Sequence, residues 1–178
     1  MRLLLVRHGQ AEDLRPGSEW GMRDELRPLT KVGEELLRKS ARTIQPIIKR
    51  IDAVTSSDYV RAKQTAEIVA RQFKIALSNP IADLQSGGDL ECVIDKLGNF
   101  DPDSTVCAVG HAPSIAFLCS LLISRNTHAN LRFGRGTMAL VNFSAQPRIG
   151  MGSLVWLMNS EALSMQAGDA QSQPRQEC

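Results

Sequence analysis

Leu3-Leu4-Leu5-Val6-Arg7-His8-Gly9 is the stretch around which the chain is organised. Its apolar run predicts a β-strand that is buried on both faces. The run ends in an arginine, a histidine and a glycine, and ligands of open α/β sheets bind just beyond the carboxyl ends of the strands. Gly9 allows a sharp turn or a close approach to a ligand. Arg7 and His8 are therefore expected at the mouth of a site.

The same pattern recurs once, later in the chain. A predicted strand over residues 105–109 ends in Gly110-His111-Ala112-Pro113. Pro113 suits the first turn of a helix, and an apolar helix is predicted over residues 114–123. The backbone amides at the start of such a helix favour a phosphate group. His111 is therefore expected at the same edge of the sheet as His8.

Strands and helices alternate through most of the chain. Thr30 is expected to cap a helix with an apolar stripe, and Pro46 to end or kink it. A second helix is expected over about residues 59–73, and a third one capped by Asp89. Further strands are predicted over residues 51–55, 137–143 and 154–158, and a short one over residues 75–77. This order predicts a three-layer α/β sandwich. Its mostly parallel central sheet is flanked by helices, and one late strand could be antiparallel at an edge.

Composition excludes several classes of function. The chain has 178 residues, which suits one domain, and the 21 basic and 19 acidic residues give a net charge of only +2. So small and mixed a charge argues against nucleic acid and anionic membranes as partners. Aromatic residues make up 4% of the chain, so a base-stacking surface is not expected.

The cysteines and the apolar segments indicate an intracellular protein. No cysteine pair has Cys-x-x-Cys spacing, so Cys92, Cys107 and Cys119 are interpreted as small buried hydrophobes and Cys178 as part of a tail. The apolar run after Met1 is too short for a signal peptide, and no stretch approaches a membrane span of about 20 residues. A cytoplasmic location is expected.

Arg7, His8, Arg61 and His111 form a set suited to a phosphoryl group. Arg61 lies in the first turn of the second helix, where the helix dipole mildly disfavours a cation. An arginine at this position therefore indicates that it binds an anion. Arginine matches phosphate oxygens with a planar fork, and neutral histidine can be a nucleophile. The set lacks the cysteines of a zinc site and the carboxylates of a magnesium site. No metal or other cofactor is expected.

Four segments resemble the histidine phosphatase superfamily, which includes phosphoglycerate mutases and acid phosphatases. They are residues 5–9, then Arg27-Pro28-Leu29-Thr30 with Gly33, then residues 57–66, and then residues 109–113. The Arg-Pro-Leu-Thr stretch and the short length resemble its SixA-type phosphohistidine phosphatase branch. The resemblance implies a phosphoglycerate mutase-like fold over residues 1–163. Residues 164–178 are expected to form a disordered tail.

The resemblance also implies a role for each candidate residue. His8 would be the nucleophile that is transiently phosphorylated. Arg7 and Arg61 would hold the phosphoryl oxygens, and His111 would complete the pocket and stabilise the transition state. Gln64 and Thr65 (on the Arg61 helix) are expected to pack and orient, and His128 to be a surface loop residue.

Two carboxylates mark departures from the family pattern. Asp58 stands where the SixA-type branch usually has proline, and it could cap the helix or pair with Arg61. Many relatives also carry an acid that protonates the leaving group. Asp83 and Asp89 lie in the corresponding region, but neither belongs to a recognisable motif, and Asp83 is kept as the candidate for that acid.

The length of the segment between the second helix and the strand before His111 indicates which substrates the pocket can admit. Larger relatives insert a cap between the second helix and the strand before the second histidine, whereas only residues 74–104 separate them here. The pocket is therefore expected to be open enough for a phosphohistidine on a protein, such as a signalling or phosphotransfer protein. A general phosphomonoesterase acting on small molecules and a non-catalytic phosphate-binding module are the alternatives. The oligomeric state is left open.

Overall fold

The computed structural model describes residues 1–163, and the predicted disordered tail, residues 164–178, lies outside the described residues. Five strands form one mixed sheet in the order β2-β3-β1-β4-β5. Their bounds are β1 Arg2–Arg7, β2 Ala53–Ser56, β3 Thr105–Gly110, β4 Met138–Asn142 and β5 Ser153–Met158. Strands β1, β2 and β3 are parallel, so their carboxyl ends meet at one edge of the sheet.

The first strand is buried on both faces, as its apolar run predicts. Leu3, Leu4, Leu5 and Val6 have no exposed surface. Leu3 and Leu5 face one hydrophobic core, and Leu4 and Val6 face the other, because successive side chains of a strand point to opposite faces. The strand therefore lies at the centre of a three-layer sandwich.

Helices cover both faces of the sheet. Helices α1 (Lys31–Ile48) and α2 (Val60–Phe73) pack on one face, and α3 (Leu90–Leu97) and α4 (Ser114–Ser124) pack on the other. The Thr30 hydroxyl accepts a hydrogen bond from the Gly33 amide at 2.9 Å, and the Asp89 carboxylate accepts two at the start of α3. Both caps agree with the sequence prediction. The α/β sandwich and the lack of a large insertion between α2 and β3 are confirmed.

Several local expectations were wrong. Helix α1 continues two residues beyond Pro46, to Ile48, so Pro46 does not end it. Val32, expected on the apolar stripe of α1, is 59% exposed, whereas Ser40 is fully buried and donates to the Leu36 and Ser160 carbonyls. The buried face of α1 thus includes one hydroxyl, which is accommodated there because it forms hydrogen bonds to backbone carbonyls.

The late strands differ from the expected arrangement. Strand β4 is antiparallel to both of its neighbours, β1 and β5, so the reversed strand lies inside the sheet and the edge strand β5 runs in the same direction as β1. No helix separates β4 from β5, so the chain returns directly in the opposite direction. The short strand predicted over residues 75–77 is reduced to a single bridge between Val54 and Leu77. Each helix within residues 1–163 is too short or too polar to span a membrane.

Candidate active site

Three neighbouring strands deliver the candidate residues to one edge of the sheet. Strand β1 is followed by His8, β2 by Ser57 and β3 by His111. The His8 amide donates to the Gly110 carbonyl at 3.0 Å and the Ser57 amide to the Val109 carbonyl at 3.1 Å, so the strand ends are tied together. A cavity of about 270 Å³ opens there. Its lining consists of Arg7, His8, Ala11, Asp24, Arg27, Arg61, Ser86, His111, Ala112 and Arg135.

The hydrogen bonds of His8 define which ring nitrogen is free to react. Nδ1 lies 2.8 Å from the Gly9 carbonyl, which can only accept, so Nδ1 carries the proton. Arg61 Nε donates to His8 Nε2 at 3.2 Å, so Nε2 presents its lone pair. Burial, which is the largest cause, lowers the pKa of His8 to about 3 with the help of the neighbouring His111, Arg61 and Arg7, although the hydrogen bond to Gly9 acts to raise it. His8 is therefore a neutral imidazole near pH 7.

His111 is held in the opposite tautomer. Arg61 Nη2 lies 3.4 Å from Nδ1, and a guanidinium only donates, so Nδ1 accepts. Nε2 then carries the proton and donates to the Ser57 hydroxyl at 2.7 Å. Burial first, and then the charge of Arg61, lower the pKa of His111 to about 4. The rings of His8 and His111 lie 4.7 Å apart, so both bound the same small space.

Arg61 links both histidines to Asp24 within the cavity. Its side chain is 5% exposed, and besides both histidines it donates to the backbone carbonyl and the carboxylate of Asp24. Its guanidinium also lies 4.8 Å from the ring centre of Tyr59, whose edge meets His111. These contacts hold the guanidinium in place before any ligand binds.

The remaining arginines add positive charge around the cavity. Arg7 Nη1 donates to the Phe133 carbonyl at 2.8 Å, and Arg7 Nε is buried without a hydrogen-bond partner among the described residues. Burial first, and then the charges of Arg135 and Arg61, lower the pKa of Arg7. Uncompensated guanidinium groups of this kind suit an anion with several oxygens.

Asp24 is the functional candidate that sequence reasoning missed. It lies on a short 3-10 turn, Asp24–Leu26, in the long loop after β1. Its Oδ2 accepts from Arg61 Nη2 at 2.8 Å, and its Oδ1 accepts from Arg27 Nε at 2.7 Å. Partial burial works to raise the pKa of Asp24, but the hydrogen bonds from the two arginines outweigh it and lower that pKa. The carboxylate therefore remains ionised.

Arg27, Arg135, Ser57 and Tyr59 were also given no role from the sequence. Arg27, Ser57 and Tyr59 belong to the segments that carry the family resemblance, which was the available signal. Arg135 lies in the basic segment before β4. Its position between Gly134 and Gly136 was the only signal in the sequence.

Gln64 and Thr65 support the site from α2. The Thr65 hydroxyl accepts from the Gly9 amide at 3.2 Å, and Gln64 Oε1 accepts from the Leu29 amide at 2.7 Å. The first bond ties α2 to the turn after His8, and the second ties it to the loop that carries Asp24. These contacts agree with the orienting role expected from the sequence.

The two carboxylates that departed from the family pattern lie away from the centre. Asp58 pairs with Lys63 at 3.0 Å, so it neither pairs with Arg61 nor caps α2, whose N-cap is Tyr59. Asp83 accepts from Lys96 at 2.8 Å and does not line the cavity. The hydrogen bond from Lys96, and then that from Cys92, lower the pKa of Asp83. A lowered pKa is the reverse of what a proton donor needs.

Other expectations concern residues outside the cavity. His128 is exposed in a surface loop. Cys107 and Cys119 are buried, but Cys92 is only half-buried and donates to Asp83. Within residues 1–163, no three His, Cys, Asp or Glu side chains cluster in a way that could hold a metal ion.

Comparison with known proteins gives a consistent result. The family model for the histidine phosphatase superfamily (branch 1) matches residues 3–84. An uncharacterised protein of Picosynechococcus sp. (strain PCC 7002) is 29% identical over 136 residues, covering 74% of this chain and 80% of that protein.

Two solved structures share the fold. The protein histidine phosphatase SixA complexed with tungstate is 26% identical, with a TM-score of 0.77, and the match covers 92% of this chain and 99% of that one. A SixA protein from Agrobacterium tumefaciens is 23% identical, with a TM-score of 0.71 and coverage of 88% and 96%. The second likeness is one of fold alone.

Proposed function

We propose that this chain, whose residues 3–84 match the family model for the histidine phosphatase superfamily and whose structure is similar to that of SixA, hydrolyses phosphohistidine on a protein. The reaction would pass through a phosphorylated His8 and need no metal ion. The observation that carries this proposal is the unprotonated Nε2 of His8, which faces a cavity lined by four arginines.

His8 would act as the nucleophile. Nδ1 is committed to the Gly9 carbonyl and the pKa of His8 is about 3, so Nε2 is unprotonated at neutral pH and needs no separate base. Its lone pair would attack once the Arg61 N–H that it accepts turns to the phosphoryl oxygens. An attack on phosphorus would form the Nε2–P bond while the bond to the leaving group breaks. The Nδ1 bond to Gly9 would then stabilise the positive charge of the phosphorylated ring.

The arginines would stabilise the transferring phosphoryl group. Phosphoryl transfer depends mainly on positioning and on neutralising the charge of the equatorial oxygens. Arg61 already touches the attacking nitrogen, and Arg7 has an unpaired buried Nε within the described structure. We assign phosphate binding to these two residues. His111, neutral and next to His8, would complete the pocket.

Two observations favour a protein-bound phosphohistidine over a small ester. Residues 74–104 contribute the 3-10 turn Ala82–Leu84 and helix α3 but no large insertion, and of these residues only Ser86 lines the cavity. A phosphorylated side chain on another protein can therefore approach. The similarity to SixA, a protein histidine phosphatase, supports the same substrate class. The cytoplasmic location and a role in signalling stay predictions.

The test measures phosphate release by wild type and His8→Ala, without added metal and with a chelator present. The substrates are a histidine-phosphorylated protein and a panel of small phosphate esters. We expect release mainly from the phosphoprotein, and a loss of at least about 10³-fold in the variant. Faster turnover of a small ester would instead identify a general phosphomonoesterase. Phosphate binding without turnover on any substrate would identify a binding module.

A further inference from the structure

Asp24 is the only acidic side chain among the described residues that line the cavity. It is held there by two arginines, because Arg61 and Arg27 each donate to one of its oxygens. Its side chain is 43% exposed, so the carboxylate is accessible from the open side of the cavity. A carboxylate inside a phosphate site opposes phosphate binding by charge repulsion, so its presence calls for a chemical reason.

The arrangement is unsuited to a proton donor. Hydrolysis of an alkyl phosphate ester needs a proton on the bridging oxygen as the P–O bond breaks. The hydrogen bonds from Arg61 and Arg27 keep Asp24 in the ionised form, in which it can only accept hydrogen bonds. A site designed for such esters would be expected to raise the pKa of its acid rather than lower it.

A phosphohistidine has a different leaving group, a histidine ring. Its phosphoryl group is bonded to one ring nitrogen, and the ring leaves as neutral imidazole only if the other ring nitrogen carries a proton. A carboxylate that accepts a hydrogen bond from this second N–H stabilises the protonated ring. An ionised carboxylate beside the phosphoryl site therefore helps this leaving group without transferring a proton.

Arg61 provides the geometry for this arrangement. Nε and Nη2 form one edge of its guanidinium, and this edge contacts both His8 Nε2 at 3.2 Å and Asp24 Oδ2 at 2.8 Å. The attacking nitrogen and the carboxylate are thus placed side by side. A phosphoryl group that is transferred in line to His8 would have its leaving ring on the side of phosphorus opposite Nε2, farther out in the same cavity that the exposed part of Asp24 lines.

We propose that the Asp24 carboxylate accepts a hydrogen bond from the free ring N–H of the substrate phosphohistidine and so selects phosphohistidine over phosphate esters. This inference rests on the proposed function. A carboxylate has about four lone-pair sites, so Asp24 Oδ2 can accept from the substrate while its arginine partners remain.

The reaction balances in two steps. In the first, the His8 Nε2 lone pair forms the N–P bond, and the electron pair of the substrate N–P bond returns to the substrate ring. That ring leaves as neutral imidazole, because its other nitrogen keeps the proton that it shares with Asp24. In the second, water attacks phosphorus, the His8 N–P bond breaks, and hydrogen phosphate and one proton are released to solvent.

The pH dependence follows from the groups that face Asp24. Arg61 and Arg27 contact it directly, and Arg7, Arg135, His8 and His111 line the same cavity. Both histidines are neutral near pH 7, so we assign titration above that pH to the ring of the bound substrate. Since kcat reports the bound complex, its alkaline limb measures the pKa of that ring.

The experiment compares wild type, Asp24→Asn and Glu25→Gln. Glu25 lies on the same 3-10 turn, is exposed and does not line the cavity, so its variant removes one charge without touching the site. Each protein is assayed from pH 6 to 9 on a histidine-phosphorylated protein. The second substrate is 4-nitrophenyl phosphate, whose leaving group departs without a proton. Thermal unfolding confirms that each variant is folded.

We expect the ratio of kcat/KM for phosphohistidine to that for the nitrophenyl ester to fall about 10- to 100-fold in Asp24→Asn. The alkaline limb of kcat on phosphohistidine should move to lower pH, and Glu25→Gln should match wild type. An equal loss on both substrates, an unshifted limb, or no loss would overturn the inference while leaving the proposed function intact. A wild type inactive on phosphohistidine but active on the ester would overturn both.

Discussion

Replacing Ser57 with alanine is expected to slow phosphoryl transfer by releasing the tautomer of His111. Ser57 has no exposed surface, and its hydroxyl lies 2.7 Å from His111 Nε2. Without that hydroxyl, the ring either keeps an unpaired buried N–H or moves its proton to Nδ1. The second option places an N–H against Arg61 Nη2, only 3.4 Å away.

The magnitude follows from the cost of the lost bond. A buried polar group left without a partner costs about 1–3 kcal/mol. If His111 must keep its tautomer in the transition state, a similar cost appears in the barrier, and about 1.4 kcal/mol is a tenfold change in rate. We therefore expect kcat to fall about 5- to 150-fold in Ser57→Ala, with a smaller change in KM.

The matched control is Ser56→Ala. Ser56 is also buried, but its hydroxyl donates to the Ser57 carbonyl at 2.9 Å and does not contact His111. Both variants should lose stability, and only Ser57→Ala should lose a comparable factor in kcat. Nitrogen-15 shifts of His111 provide a direct readout, with the proton on Nε2 in wild type. Equal kcat values for the two variants, or a wild-type proton on Nδ1, would refute the reasoning.

Two further predictions concern charge state and packing. Because the pKa values of His8 and His111 lie at about 3 and about 4 in the fold, against about 6.5 in the unfolded chain, neither ring should titrate between pH 8 and 5 in NMR spectra. The two histidines contribute fully to the free energy of unfolding above about pH 6.5, and this contribution is lost as pH falls toward their folded-state pKa values. The midpoint of thermal unfolding should therefore drop as pH is lowered below about 6.5. A constant midpoint would contradict the burial of the two rings. Gly33→Ala should destabilise the fold by about 1–3 kcal/mol despite the better helix propensity of alanine. The reason is that the new Cβ would lie 2.4 Å from the Gln10 carbonyl oxygen. If chemical denaturation gave an unchanged or higher midpoint, the loop around Gln10 would have moved at no energetic cost.

The sequence predicted the central elements because their signals are local. A continuous apolar run such as residues 3–6 indicates a strand covered on both faces, whatever covers it. Thr30 and Asp89 cap their helices through bonds to amides two or three residues ahead, so the pattern and the contact lie in the same short segment. The endings at His8 and His111 were recognisable for the same reason.

Errors arose where the partner of a residue lies far along the chain. The helical period alone could not show that Val32 lies on the surface of α1 and that Ser40 lies in its core. Ser40 is buried because the Ser160 carbonyl, distant in sequence, accepts one of its hydrogen bonds. The positions of β4 and β5 were likewise undecided, since strand direction depends on pairing between segments rather than on the segments themselves.

The amino-acid sequence by itself determined the α/β order, the buried central strand and the histidines and arginines that point to phosphoryl chemistry. These features depend on steric and hydrogen-bonding preferences that act over a few residues. Only the tertiary structure decided that Asp24, from an irregular loop, shares Arg61 with His8, and that Asp58 does not. Charge pairs are selected by proximity in space, and the path of a loop follows from the packing of the elements that it joins.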